Sequence, residues 1–273
     1  MAPLLLAGAP RSGTSWLQRL ILAHPRCIGG QESHLLVLFD ELLAESRRKA
    51  SFPRPHGPLG LLTEEELIGS LRHTWSTAFR SILSGHPEAA LLVEKTPDHI
   101  RHLDLANRLL PHCRIVHLVR HPADVAASLI RASREPWGRD WAPGSAEAAT
   151  RRWVECTEAA IQSEATFGAT RFKTLRYEDL RSDPERHLGA LFAFAGLETA
   201  PELARDIVED DRAGRGAAIP LHGELAPGPL IEPEHFGDGR PRPTLRGRDL
   251  RRCLAIAGPL MATFGYDPSG ADR

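Results

Sequence analysis

A chain of 273 residues, 42% of them hydrophobic, is long enough to bury one α/β core, and we expect a single domain over residues 1–273. Acidic and basic residues nearly cancel, 35 against 34, so the overall charge gives no reason to expect nucleic acid or an anionic membrane as a partner. The four cysteines are scattered without a CxxC pair, which gives no zinc spacing or disulfide framework and fits a cytoplasmic protein. No segment reaches the roughly 18 apolar residues of a membrane span, and the apolar run in residues 1–9 is too short for a secretory signal.

Four short apolar runs predict buried parallel strands, at residues 3–7, 91–94, 114–119 and 171–175. A helical pattern follows each run. This alternation predicts an open, doubly wound sheet in three α/β/α layers, with ligands bound at the carboxyl ends of the strands.

Capping signals mark several of the helices. One helix is predicted over residues 34–49, and Thr63 with Glu66 forms a capping box that starts the next one. Further along, Asp183 before Pro184 supplies an N-cap and a first-turn proline for another helix.

Residues 211–246 are rich in glycine, proline and charge, and a helical period returns only over residues 248–264. A connection of this length is long for a compact domain. We therefore expect a mobile functional loop or lid at residues 211–246.

Residues 8–15, GAPRSGTS, nearly match the phosphate-binding pattern GxxxxGK[ST]. The strand before the loop and the helix after it aim backbone N–H groups and the positive end of the helix at one point, which suits phosphate or sulfate. Such a turn also occurs without a ligand. Thr14 replaces the lysine and leaves Arg11 as the loop's cation, and Arg120 follows the third strand where a magnesium ligand would be needed. These features favour a nucleotide anion that is bound without a metal.

Residues 9–16, APRSGTSW, resemble the 5′-phosphosulfate loop of the sulfotransferases that use 3′-phosphoadenosine 5′-phosphosulfate (PAPS). This loop is commonly written PK[SA]GTTW, and an arginine replaces its lysine, as Arg11 does here, in the tyrosylprotein branch of the family. The family has a modified P-loop kinase-like fold, so the resemblance implies a P-loop-containing nucleotide hydrolase-like architecture and one sulfotransferase domain. It also implies that Trp16 stacks on adenine, although a tryptophan at this helix position also suits a core. The loop residues implied in cofactor binding are Arg11, Ser12, Gly13, Thr14, Ser15 and Trp16.

Three further segments resemble the nucleotide site of the same family. Residues 116–122, VHLVRHP, resemble the 3′-phosphate strand, which implies that Arg120 and Ser128 bind the 3′-phosphate. The YEDL sequence at residues 177–180 implies that Tyr177 contacts the adenosine side. The C-terminal GxxGxWK signature is imperfect at residues 239–242, GRPR, and the implied 3′-phosphate ligands there are Arg240 and Arg242.

Two segments resemble the heparan-type branch of the family. EKTP at residues 94–97 implies that Lys95 stabilises transferring charge, and GQESH at residues 30–34 implies that Glu32 is the base. Lys95 could otherwise be a surface lysine and Glu32 an N-cap neighbour of the next helix. Cytosolic aryl sulfotransferases carry a histidine base where this chain has Pro97, which leaves His34 and His99 as the nearby histidine alternatives.

The resemblance implies transfer of a sulfuryl group from PAPS to a hydroxyl or amine, with adenosine 3′,5′-bisphosphate as product and no metal. The acceptor remains open among small molecules, sugars and peptides, and we expect residues 50–62, 135–145 and part of 211–246 to contact it. Two other functions are weighed against this one: a P-loop kinase that uses ATP and magnesium, and a non-catalytic nucleotide-binding module. Oligomeric state cannot be predicted from the sequence.

Overall fold

The computed structural model describes residues 2–197, 200–217, 220–221, 224–225 and 244–269. Its main sheet has five parallel strands in the order β2-β3-β1-β4-β5. The strands are β1 (Leu4–Ala7), β2 (Cys27–Gly29), β3 (Leu91–Lys95), β4 (Arg114–Val119) and β5 (Phe172–Arg176). The four predicted strands are confirmed. The prediction missed β2 because this edge strand has only three residues and lacks an apolar run.

Helices cover both faces of the sheet. They are α1 (Thr14–Leu22), α2 (Leu35–Ala50), α3 (Glu64–Ala78), α4 (Arg80–Ser84), α5 (Leu103–Leu109), α6 (Pro122–Ala132), α7 (Ala146–Phe167), α8 (Tyr177–Ser182), α9 (Pro184–Ala195), α10 (Pro201–Arg212) and α11 (Gly247–Met261). Short 3-10 helices lie at Pro58–Gly60, Pro97–His102 and Ala262–Phe264, and Pro220–Leu221 pairs antiparallel with Glu224–Leu225. The capping box of Thr63 and the N-cap of Asp183 are both confirmed.

Side-chain alternation on the strands divides the core into two apolar clusters, one on each face of the sheet. On β1, Leu5 and Ala7 pack with buried residues of α3, α6 and α7. Leu4 and Leu6 belong to the opposite cluster, with buried residues of α1 and α9. Both faces are therefore covered, and the predicted three-layer α/β/α fold of the P-loop-like type is confirmed.

The first two residues of the predicted lid, 211 and 212, lie in a helix instead of a loop. Asp211 lies in α10, near its end, and is buried, so residues 211 and 212 belong to a packed helix rather than to a loop. Residues 218–219, 222–223 and 226–243 lie outside the described residues, as do Arg240 and Arg242, and the lid stays a prediction. Within the described part of the chain, no helix has both the length and the apolar character needed to cross a bilayer.

Candidate active site

The glycine-rich loop joins β1 to α1 at the carboxyl edge of the sheet. Gly8 has φ 154° and Gly13 has φ 100°. A β-carbon on Gly8 would lie 2.4 Å from the Leu118 carbonyl oxygen, and one on Gly13 would lie 2.6 Å from the Tyr177 ring. Both positions therefore require glycine. Because Gly13 is the N-cap of α1 and has no side chain to cap it, the first N–H groups of the helix suit an anion.

Arg11 connects this loop to the residues expected at the 3′-phosphate. Its backbone has φ 75°, a conformation that non-glycine residues rarely adopt and that is often found at functional sites. Its Nε donates a hydrogen bond to Ser128 Oγ at 3.1 Å. Its guanidinium also lies 5.5 Å from the centre of a Trp137 ring.

Arg120 and Tyr177 complete the same group. Arg120 is buried, donates a hydrogen bond to the Arg11 carbonyl at 3.4 Å and stacks 4.4 Å from the centre of the Tyr177 ring. The structure thus brings together four residues that the sequence predicts for the nucleotide site, although they come from separate strand ends. They are Arg11, Arg120, Ser128 and Tyr177.

Trp16 is buried beside the same tyrosine. Its ring meets the Tyr177 ring edge-on, with centroids 5.7 Å apart, and its indole N–H donates to Asp211 Oδ2 at 3.0 Å. Arg19 also donates to Asp211, at 3.1 Å. The sequence interpretation missed Asp211 as an anchor because it placed this residue at the start of the predicted lid, residues 211–246, where an aspartate resembles a solvated residue. Adenine stacking by Trp16 stays a prediction.

The predicted base and the predicted lysine lie in direct contact. Lys95 at the end of β3 is buried, and its Nζ donates to Ser15 Oγ at 3.1 Å and to Glu32 Oε1. The other oxygen of Glu32 lies 3.3 Å from His34 Nε2. Lys95 therefore connects the phosphate loop to the carboxylate expected to act as base.

These contacts keep Glu32 ionised. Burial would raise the pKa of its carboxyl group, but the hydrogen bond to His34 and the charge of Lys95 outweigh burial and lower this pKa to about 2. The hydrogen bond to Glu32 in turn raises the pKa of His34. Of the two histidine alternatives, His34 contacts the carboxylate and is half exposed, whereas His99 is fully buried against Glu94.

A further carboxylate, which the sequence interpretation left without a function, fixes the elements on the side predicted to bind the nucleotide. Glu178 accepts a hydrogen bond from the His121 backbone N–H at 2.9 Å and another from the Tyr266 hydroxyl at 2.7 Å. Because His121 precedes α6, these bonds fix the start of the helix that carries Ser128. The indole N–H of Trp153 also donates to the Arg120 carbonyl, at 2.9 Å.

The arrangement defines a class of site. A glycine-rich loop at a helix N-terminus suits an anion. Two cations, Arg120 after β4 and Lys95 at the end of β3, extend toward that loop. The ionised carboxylate of Glu32 lies against Lys95. This combination suits the transfer of an anionic group from a nucleotide to an acceptor in a P-loop-like protein.

Comparison with known proteins identifies the family. The pattern of the Sulfotransferase family matches residues 3–201, and the chain belongs to this family of enzymes. The chain is 22% identical over 273 residues to protein-tyrosine sulfotransferase 1 of Danio rerio, and the aligned region covers 98% of this chain and 73% of that protein.

Solved structures confirm the fold. The sulfotransferase domain of the Synechococcus PCC 7002 olefin synthase is similar with a TM-score of 0.57 and 24% identity, over 97% of this chain and 94% of that one. A mouse sulfotransferase complexed with PAP is similar with a TM-score of 0.54 and 13% identity, over 98% of this chain and 85% of that one.

Proposed function

We propose that the protein transfers a sulfuryl group from PAPS to an acceptor hydroxyl or amine, with Glu32 as the base. The observation that carries this proposal is the contact of Lys95 with both Glu32 and Ser15, since it joins a base to the phosphate loop through one cation. Family membership supports sulfuryl transfer, and the PAP bound to the similar mouse sulfotransferase supports the donor.

In this reaction the acceptor oxygen or nitrogen forms a bond to sulfur while the bond from sulfur to the 5′-phosphate oxygen breaks. The acceptor proton passes to the Glu32 carboxylate, and the bond's electron pair leaves on the 5′-phosphate. Negative charge grows on that oxygen in the transition state, so Arg11 and Lys95 stabilise it electrostatically. Thr14, Ser15 and the N–H groups at the start of α1 hold the 5′ side.

Lys95 also regulates the strength of the base in this scheme. The hydrogen bond to His34 and the charge of the Lys95 ammonium together keep the pKa of Glu32 at about 2, which makes the carboxylate a weak proton acceptor. An anionic group beside Ser15 competes with Glu32 for the same ammonium. The carboxylate then becomes more basic when the donor is in place, which links proton removal to a filled donor site.

The residues fit the donor better than they fit ATP with magnesium. Gly8 and Gly13 leave a cradle with no β-carbons, while Thr14 stands where a kinase has its lysine. Arg120 and Ser128, both buried near the loop, match the extra 3′-phosphate that distinguishes PAPS from ATP. A binding module without chemistry would not require the contact between the buried Lys95 and Glu32.

The acceptor site lies, in this proposal, beside α2 and the segment after α6. Among the described residues, the large apolar side chains that stay exposed fall into two groups. They are Leu38, Leu42, Phe52, Leu61 and Leu62 on and after α2, and Trp137 and Trp141 after α6. The first group follows Glu32 in the chain, and Trp137 lies over Arg11. This placement favours an acceptor whose hydroxyl is attached to an apolar or aromatic body.

Calorimetric titration tests the donor. Purified protein is titrated with adenosine 3′,5′-bisphosphate, with 5′-AMP and with ATP plus magnesium. We expect selective binding of the bisphosphate and its loss in Arg120→Ala. The matched control is Arg171→Ala, because Arg171 also stacks on an aromatic ring, 4.6 Å from the centre of Phe167, but at the opposite end of the strands. Preference for ATP and magnesium would replace this proposal with a kinase.

A further inference from the structure

Helix α2 begins three residues after Glu32, and its start is unusual. Its N-cap is His34, which has φ 52° and makes no side-chain capping bond. The first N–H groups of any helix lack partners within the helix. Their partners here must come from elsewhere, and they determine where the chain around Glu32 lies.

Side chains at and after the end of β3 supply these partners. Glu94 Oε1 accepts hydrogen bonds from the Ser33 N–H at 3.3 Å and from the Ser33 hydroxyl at 2.8 Å. Thr96 Oγ1 accepts from the His34 N–H at 3.3 Å, and His99 Nε2 accepts from the Leu36 N–H at 3.3 Å. The side chains of Glu94, Thr96 and His99 are all buried.

The negative charge of Glu94 orients the hydroxyl groups of Thr96 and Ser33. A carboxylate can only accept, so the Thr96 hydroxyl, 2.7 Å from Glu94 Oε1, donates to it and keeps its lone pairs for the His34 N–H. The Ser33 hydroxyl donates to Glu94 in the same way and accepts from the Leu35 N–H at 3.3 Å. The capping geometry therefore depends on the ionised form of Glu94.

His99 completes the network on the second carboxylate oxygen. Its Nδ1 lies 2.8 Å from Glu94 Oε2. Since Nε2 accepts from Leu36, the ring hydrogen is on Nδ1, the nitrogen nearer to the carboxylate. Burial opposes ionisation of Glu94, yet the interaction with His99 and the hydroxyl donors keep its pKa below the ordinary value.

We propose that Glu94 is a positioning residue, which caps α2 through Ser33, Thr96 and His99 and thereby holds Glu32 against Lys95. Side chains alternate along a strand, so Lys95 extends from β3 on the side opposite to its neighbours Glu94 and Thr96. Lys95 binds the Glu32 carboxylate directly, and its neighbours bind the backbone that follows Glu32. The inference rests on the proposed function of Glu32 as base.

Amide hydrogen exchange tests the positioning without any acceptor. Glu94→Gln keeps the shape, but its amide has only one acceptor oxygen, so its NH2 group must face either the donors now on Oε1 or the ring N–H of His99. We expect exchange of the amides at residues 33–36 to accelerate about 10- to 100-fold, because buried donors lose their acceptors. Exchange in the loop at residues 8–15 should stay unchanged. The matched control is Glu178→Gln, a substitution of another carboxylate that accepts a backbone N–H, and it should leave residues 33–36 protected.

Turnover then connects position to chemistry. Glu94→Gln should still bind the bisphosphate. We expect it to lower kcat about 10- to 100-fold with little change in the donor KM, since a misplaced base slows only the chemical step. Thr96→Ala removes the acceptor of the His34 N–H and one hydroxyl donor to Glu94, and it should act in the same direction more weakly. Thr96→Ser should restore both exchange and kcat.

Unchanged exchange at residues 33–36 in both Glu94→Gln and Thr96→Ala would overturn the proposal, as would faster exchange with full kcat. If Glu94→Gln does not fold, the pair Thr96→Ala and Thr96→Ser decides by the same two readouts. Glu32→Gln separates the two proposals. If that variant keeps full turnover, Glu32 is not the base, while the exchange data still report whether Glu94 holds the loop.

Discussion

The two halves of the site are built in different ways. On the proposed donor side, the shape of the backbone is the main feature, and glycines at Gly8 and Gly13 bring the chain close to its neighbours. On the base side, the decisive groups are side-chain charges, with Glu32 held between Lys95 and His34. The donor side therefore depends on shape, and the base side depends on the balance of charge and hydrogen bonds.

The largest expected effect comes from removing the charge of the base. Glu32→Gln should lower turnover about 10²- to 10⁴-fold, the range typical of a lost general base. Binding of adenosine 3′,5′-bisphosphate should persist, because that ligand contacts the donor side. Steady-state kinetics together with calorimetry measure both quantities.

The matched control for this variant is Glu45→Gln. Glu45 lies on the exposed surface of α2 and pairs with Arg48 and Lys49, so its substitution should leave turnover unchanged. If the Glu32 variant instead lost nucleotide binding along with turnover, the two halves would not be separable in the way proposed.

The next largest effect tests shape on the donor side. Gly13→Ala should lower the free energy of unfolding by about 2–4 kcal/mol, because its φ of 100° suits only glycine and the new methyl group would meet the Tyr177 ring. The bisphosphate should bind more weakly as well. Urea denaturation and calorimetry measure these effects.

Gly69→Ala is the corresponding control. Gly69 lies within α3, and no atom lies within 4 Å of an added β-carbon there. This variant should stabilise the protein by about 0.5–1 kcal/mol, as alanine does in a helix interior. Equal destabilisation by both substitutions would show that the shape of the loop is not what matters.

A smaller effect is expected at the anchor of Trp16. Asp211→Asn removes the charge that accepts from Trp16 and Arg19 in a buried position. The free energy of unfolding should fall by about 1–2 kcal/mol, and the bisphosphate should bind less tightly if the indole contacts adenine. The exposed neighbour Asp210, which pairs with Arg215, provides the control Asp210→Asn, for which urea denaturation should show little change.

The sequence predicted the donor side more completely than the base side, for a physical reason. A glycine-rich loop between a strand and a helix is contiguous in the chain, so its letters alone indicate its geometry. The contacts of Lys95 and Glu94 join segments more than 60 residues apart in the chain, and only motif resemblance suggested Lys95. The sequence placed Glu94 in a predicted strand and in the EKTP segment but indicated no function for it, and nothing in the sequence distinguished Asp211 from the surface charges beside it.

The smallest effect concerns the dependence of stability on pH. The pKa of Glu32 is about 2 in the folded protein and 4.5 as its ordinary value, so between these values the unfolded chain binds more protons than the folded one. The stabilisation is therefore complete above about pH 4.5 and is lost as the pH falls toward 2.

Glu32→Gln should remove this part of the pH dependence, so that the difference in unfolding free energy between the parent protein and the variant shrinks on acidification. Glu45→Gln provides the comparison, because Glu45 lies on the surface, where solvent screens its charge, and it should contribute less despite its own lowered pKa. Parallel stability curves for the parent protein and Glu32→Gln would mean that Lys95 and His34 do not hold the carboxylate ionised. The base side would then depend on shape, like the donor side, rather than on charge.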